Sequence, residues 1–360
     1  MTRGQAGWRA VLLAAALLAA PGCGGLPRVA YRLPDTALVP LSTAGIQDRR
    51  ADYGRMFCSV LRHIGAEGGP WGECGEYIET AGPAEADLPT IPPDYRILVV
   101  PGYLGQCFSP GLQAFSDALA HLREEHGLAA EYLDVSALGS CEHNARMIAR
   151  HLGERASGDR RRTIVVGYSK GGCDLMVMLA AHPEVREQVA AFITVAAPVG
   201  GSRLPDITSE SMLGLIEELT LERCDRGDAG GTDSLRRPER QAFLREHASP
   251  LVPTYSLVAV SDETNTSRAL MSFWKKLSAI ALDQDGQVIA SEGIVPGSRF
   301  LGVLKGDHWA VAVPFESWHH RNARRMIDHN HFPRVAVLEA ALRVVLADME
   351  SPGAAPSGKR

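Results

Sequence analysis

The chain has 360 residues, of which 45% are hydrophobic and 22% charged, with a formal net charge of −5. These are globular values, and the absence of a basic patch argues against a nucleic-acid partner. The length suits one elaborated α/β domain, because single cores stop growing at about 250–300 residues.

Arg3 and Arg9 precede an apolar run from Ala10 to Ala20, followed by Pro21-Gly22-Cys23. A charged start, a short apolar stretch and a small-residue exit make residues 1–22 a secretory signal. The run is too short to span a bilayer comfortably. Ala20-Pro21-Gly22-Cys23 resembles a bacterial lipobox, whose cysteine is lipidated and becomes the mature N-terminus. Cys23 is then a membrane attachment in the cell envelope; free secretion is the other reading. Beyond it stand Cys58, Cys74, Cys107, Cys141, Cys173 and Cys224, an even number that suggests three disulfides in an exported chain. Pairing sequence neighbours gives Cys58–Cys74, Cys107–Cys141 and Cys173–Cys224. The alternative is that some, Cys173 in its helix above all, are buried free thiols.

Residues 23–94 read as an N-terminal segment with no sheet of its own, packed on the main domain. Within it, Leu26 to Leu41 is extended, and Tyr53, Phe57, Val60, Leu61 and Ile64 share one face of a helix starting near Asp48. Gly65 to Pro93 is a long loop held by Cys58 and Cys74. The main domain, 95–350, opens with the apolar strand Ile97–Val100 and the loop Pro101–Cys107. A helix over Leu112–Glu125 stops at Gly127. Strand Ala130–Val135, helix Glu142–Leu152, strand Thr163–Val166, helix Lys170–Ala181 and strand Val189–Ala196 follow. This alternation implies a mostly parallel sheet with right-handed crossovers and helices on both faces.

The rhythm breaks at about 200–253, where helices over Glu210–Leu219 and Arg236–His247 read as a lid inserted above the sheet. Met212, Leu213, Leu215 and Ile216 either line an apolar slot there or anchor a helix. Strand Thr254–Val260, helix Arg268–Leu282, the turn Asp283–Gly286, strand Arg299–Leu304 and the amphipathic helix Val335–Met349 complete the domain. Residues 351–360 read as a disordered tail.

The chemistry centres on Gly167-Tyr168-Ser169-Lys170-Gly171, a G-x-S-x-G nucleophile elbow between an apolar strand and a helix. Such a turn lifts the Ser169 hydroxyl clear of the sheet and aims the Lys170 backbone N–H at a developing oxyanion. A serine needs a base, and the base needs an orienting acid. His308, in Lys305-Gly306-Asp307-His308-Trp309 directly after the last strand, is the candidate base. His319, His320, His329 and His331 lie among arginines and read as a solvated segment, not a metal site. For the acid, Asp285 fits a loop returning beneath the histidine, Asp262 fits a strand end, and Asp283 or Glu263 remain open. The loop after the first core strand should supply the second oxyanion donor, the N–H of Tyr103.

On these motifs the span from Tyr95 to Met349 resembles an α/β-hydrolase, and within that superfamily the bacterial secreted lipases and esterases. Those enzymes have His-Gly where this chain has Pro101-Gly102, and their Asp-Gly-x-Val motif carries the triad acid. The resemblance therefore favours Asp285 in Asp285-Gly286-Gln287-Val288. It implies a cofactor-free serine hydrolase acting on a small-molecule or lipid ester. An acyltransferase with the same triad, or a binding protein on the same fold, are the alternative classes.

Overall fold

The computed structural model describes residues 45–66, 71–84, 88–107, 112–156, 158–159, 161–207, 225–317 and 325–350. Its centre is one sheet of seven strands: β1 (Gln47–Asp48), β2 (Tyr95–Val100), β3 (Ala129–Tyr132), β4 (Arg162–Tyr168), β5 (Val189–Val195), β6 (Thr254–Val260) and β7 (Arg299–Lys305). Their order is β1-β7-β6-β5-β4-β2-β3, and every pair is parallel. The continuous apolar runs follow from that geometry, because a parallel strand is covered on both faces. Side chains alternate accordingly: Ile97 and Val99 of β2 enter one apolar cluster, Leu98 and Val100 the other. β3 stops at Tyr132 instead of reaching Val135, since it is an edge strand paired only with β2.

The longer helices are α1 (Arg50–Ala66), α2 (Ser116–His126), α3 (Cys141–Ala156), α4 (Lys170–Ala181), α5 (Arg237–Glu246), α6 (Met271–Ser278) and α7 (Arg334–Glu350). One face of the sheet carries α1, α2 and α7; the other carries α3, α4 and α5. α2 begins after Phe115, which sits in the left-handed region at φ 59°, and ends on Gly127 at φ 62° as expected for a helix C-terminus. α6 is shorter than the span Arg268–Leu282. Its approach is pinned instead by Ser267 N–H to Asp307 and Ala269 N–H to Met326, and Leu282 beyond it stands in solvent.

The segment before Tyr95 does more than pack on the domain. β1 extends the sheet beside β7, and Tyr53, Phe57, Val60 and Leu61 of α1 are buried against α7 and β7. α7 is thereby covered on most sides, with Ala336 through Leu346 buried, so it is not the amphipathic helix expected over Val335–Met349. Its buried charges are all partnered: Arg334 with Asp117 and Glu316, and Arg343 with Glu339.

Of the three neighbour disulfides, the structure contains Cys58–Cys74, tying α1 to the loop that follows it. It contradicts the other two, because Cys141 and Cys173 are free and buried. They open α3 and α4, neighbouring helices, so their thiols meet each other in the core. Cys107 is disulfide-bonded to a partner outside the described residues. Cys224 lies outside them too, as do residues 1–44 with the signal and Cys23, the helix Glu210–Leu219 with Met212, Leu213, Leu215 and Ile216, and the tail. The second helix expected in the lid, α5, packs on the body: Phe243 and Leu244 join the cluster around α4, and Arg240 donates to the Val199 carbonyl. Among the described residues no helix is long and apolar enough to cross a membrane.

Candidate active site

The turn from β4 into α4 places Ser169 at φ 52°, ψ −127°, a conformation that costs a side-chain-bearing residue energy and is held by its surroundings. The Ser169 N–H donates to the Val195 carbonyl at 3.0 Å, and its own carbonyl accepts from Gly172 N–H at 3.0 Å. The tightness of this turn explains its glycines. A Cβ on Gly171 would lie 2.3 Å from the Val100 carbonyl oxygen, and one on Gly102 would lie 2.7 Å from Ser169 Cβ. The loop after β2 therefore crosses directly against the serine.

His308 follows β7 and is 2% exposed. Its Nε2 stands 2.9 Å from Ser169 Oγ and its Nδ1 2.8 Å from Asp285 Oδ2. Asp285, fully buried, is fixed in turn: its Oδ1 accepts from the N–H groups of Gln287 and Val288 at 2.9 and 2.7 Å, and its carbonyl from His308 N–H at 2.8 Å. Gly286, at φ 92°, makes that turn possible. The structure thus brings Ser169, His308 and Asp285 into one hydrogen-bonded chain. Asp262 is elsewhere: it is exposed and caps its own turn, accepting from Thr264 and Asn265. Glu263 faces solvent and pairs with Lys275.

The Lys170 N–H is the first of α4, where no earlier helix carbonyl can take it. Tyr103 follows Gly102 over the serine, and its hydroxyl meets Thr232 Oγ1 at 3.1 Å. That contact belongs to a lacing between the return segment 225–236 and the loop after β3, which includes Asp225 with Ser136 and Asp228 with Ser140. His331 stacks on Trp71 and pairs with Glu316.

Three supports were not visible in the motifs. Tyr168, at the variable position of the elbow, donates its hydroxyl to the His308 carbonyl at 2.8 Å, and its ring lies 5.2 Å from the imidazole. Asp307 accepts from Trp309, Ala310 and Ser267 N–H groups and so shapes the histidine loop. The Lys170 side chain turns down into the core, where its ammonium meets Asp174 at 2.6 Å and Asn144 donates to the same carboxylate. The i, i+4 spacing of Lys170 and Asp174 was the readable signal. Asp174→Ala is expected to cost about 3–5 kcal/mol of folding stability, because it leaves an ammonium buried without its counter-charge. Urea denaturation checks this; a cost under about 1 kcal/mol would mean the ammonium reaches water.

A cavity of about 180 Å³ opens on Ser169 and His308. Its walls are mostly apolar, with Leu104, Tyr132, Leu204, Phe273, Trp309 and Phe315 among them. The Ser169 hydroxyl and the His308 imidazole face this space, and Asp285 stands behind the imidazole on its Nδ1 side.

Neither a protein-family model nor a curated protein matches the chain. Solved structures do. A metagenomic carboxyl esterase superposes with a TM-score of 0.78 at 30% identity, over 88% of this chain and 97% of its own. The mature form of a Bacillus licheniformis lipase superposes with a TM-score of 0.51 at 22% identity, over 72% of this chain and 96% of its own, a likeness of fold.

Proposed function

Because the chain belongs to the α/β-hydrolase superfamily, alongside carboxyl esterases and lipases, we propose that it hydrolyses carboxylic esters through an acyl-enzyme on Ser169. The observation that carries this reading is the chain Asp285 Oδ2–His308 Nδ1 at 2.8 Å and His308 Nε2–Ser169 Oγ at 2.9 Å, placed at the mouth of an apolar cavity. Ser169 Oγ attacks the ester carbonyl while His308 Nε2 takes its proton. Asp285 holds the imidazole with its proton on Nδ1 and stabilises the imidazolium that forms. The N–H groups of Lys170 and Tyr103 receive the negative charge as it develops on the carbonyl oxygen. His308 returns the proton to the departing alcohol, and water then repeats the sequence on the acyl-serine. The N-terminal signal and the Cys58–Cys74 disulfide support a reaction outside the cytoplasm, with Cys23 as the anchor to the envelope.

The cavity is smaller than the roughly 300 Å³ at which drug-sized sites begin, which favours a short acyl chain. A panel of p-nitrophenyl esters of graded length tests both points. Stoichiometric free acid and p-nitrophenol are expected, with kcat/KM highest for the short acyl groups. Folded protein that releases no acid from any member would refute ester hydrolysis, and a kcat/KM that climbs steadily to the longest chains would refute the size limit.

A further inference from the structure

We propose that His121, His126 and Glu339 form a site for a zinc-class divalent metal ion that clamps α2 to α7. The two histidines lie in the last turns of α2, and Glu339 comes from the middle of α7, 218 residues from His121. Their spacing in the sequence matches no metal-binding pattern; the packing of the two helices brings them together. One ligand atom from each of the three side chains lies within 4.8 Å of the other two. The rings meet edge to face, with centroids 5.4 Å apart and planes at 81°, so that both Nε2 atoms face the carboxylate.

The carboxylate is already divided between two tasks. Arg343 occupies Oε1 with Nε at 2.9 Å and Nη2 at 2.7 Å. Oε2 is left to both imidazoles, at 2.9 Å from His121 Nε2 and 3.3 Å from His126 Nε2. Oε2 has lone pairs for both, yet only His121 meets it in hydrogen-bond geometry. The His126 Nε2 atom is buried, and its 3.3 Å approach does not meet hydrogen-bond geometry. An ion between the three atoms resolves the conflict: each imidazole turns to its Nδ1–H tautomer and offers an Nε2 lone pair, and Oε2 offers a third.

Both histidine–carboxylate distances suit such an ion. Bonds of about 2.0–2.1 Å in a tetrahedron place donor atoms roughly 3.3 Å apart, within a few tenths of an ångström of the two measured contacts. Two imidazoles and one carboxylate select zinc or its neighbours nickel and copper, whereas magnesium and calcium need more oxygen ligands. Glu339 is ready in charge. The Arg343 guanidinium, on Oε1 at 2.7 and 2.9 Å, favours the ionised carboxylate. Both histidine side chains keep 19% of their surface exposed, which leaves water a route to the fourth position. None of the three residues lines the Ser169 cavity, so the ion acts on stability and not on the ester.

The test uses the full chain, stripped with chelator and titrated with zinc chloride alone, with bound zinc and Tm as readouts. The wild type should bind one zinc per chain at saturation and gain Tm with it. His121→Gln and His126→Gln should each weaken that binding at least about tenfold and abolish the zinc-dependent gain in Tm, with ester hydrolysis unchanged. Both positions are partly exposed, so the variants should fold. A double variant that binds zinc as tightly as the wild type, or gains the same Tm, would overturn the proposal by placing the ion on other side chains. So would a wild type without a saturable site.

Discussion

Asp285→Asn is expected to lower kcat for ester hydrolysis by about 10⁴, with the fold intact. The asparagine has one natural orientation here. Its amide oxygen takes the place of Oδ1, which accepts from Gln287 and Val288 N–H groups, and its NH₂ then faces His308 Nδ1. A donor opposite Nδ1 forces the imidazole proton onto Nε2, the atom that accepts the Ser169 proton in the proposed reaction. The base is present in the wrong tautomer. Asp262→Asn should stay near the wild-type rate, because Asp262 is exposed and serves only its local turn. Steady-state kinetics on the two purified variants decides between them. The opposite ranking would transfer the acid's role to Asp262.

Ser169→Ala should remove more, about 10⁶ in kcat, together with all labelling by an active-site phosphonate. What survives is whatever the backbone donors and the cavity do for attack by water. Stability should change by no more than about 1 kcal/mol, the worth of one hydrogen bond, since alanine inherits the same positive φ and the same Val195 contact. A variant that keeps a tenth of the wild-type rate would show that another group is the nucleophile.

The parts of this site that were legible in the sequence are those whose chemistry and local backbone coincide. The elbow needs glycine where Gly171 meets the Val100 carbonyl, and that need writes a motif. α4 and β6 have the bounds the residue pattern implies, because glycine, proline and apolar runs mark both ends. Asp285 was one carboxylate among several until the family resemblance favoured it; the structure puts it against His308 and leaves Asp262 in solvent. Other features had no local signature. Tyr168 reaches His308 through a backbone carbonyl, which any residue possesses. The burial of α7 is caused by α1 and α2 lying over it, and its own residues do not announce those neighbours. Sequence proximity misled for the cysteines: Cys141 and Cys173 belong to adjacent helices, so the thiol each one meets is the other. His121, His126 and Glu339 escaped notice for the same reason.

The pairing of β1 with β7, and the burial of α7 beneath α1, join the two ends of the described chain. A ribosome delivers those ends last and first, so the sheet edge and the C-terminal helix cannot be completed while synthesis continues. β7 carries His308 at its exit, and the imidazole therefore reaches Ser169 only after nearly the whole polypeptide has emerged. Long-range closure of this kind is slow. Until that closure is complete, Ser169 stands without the imidazole that faces it in the folded chain.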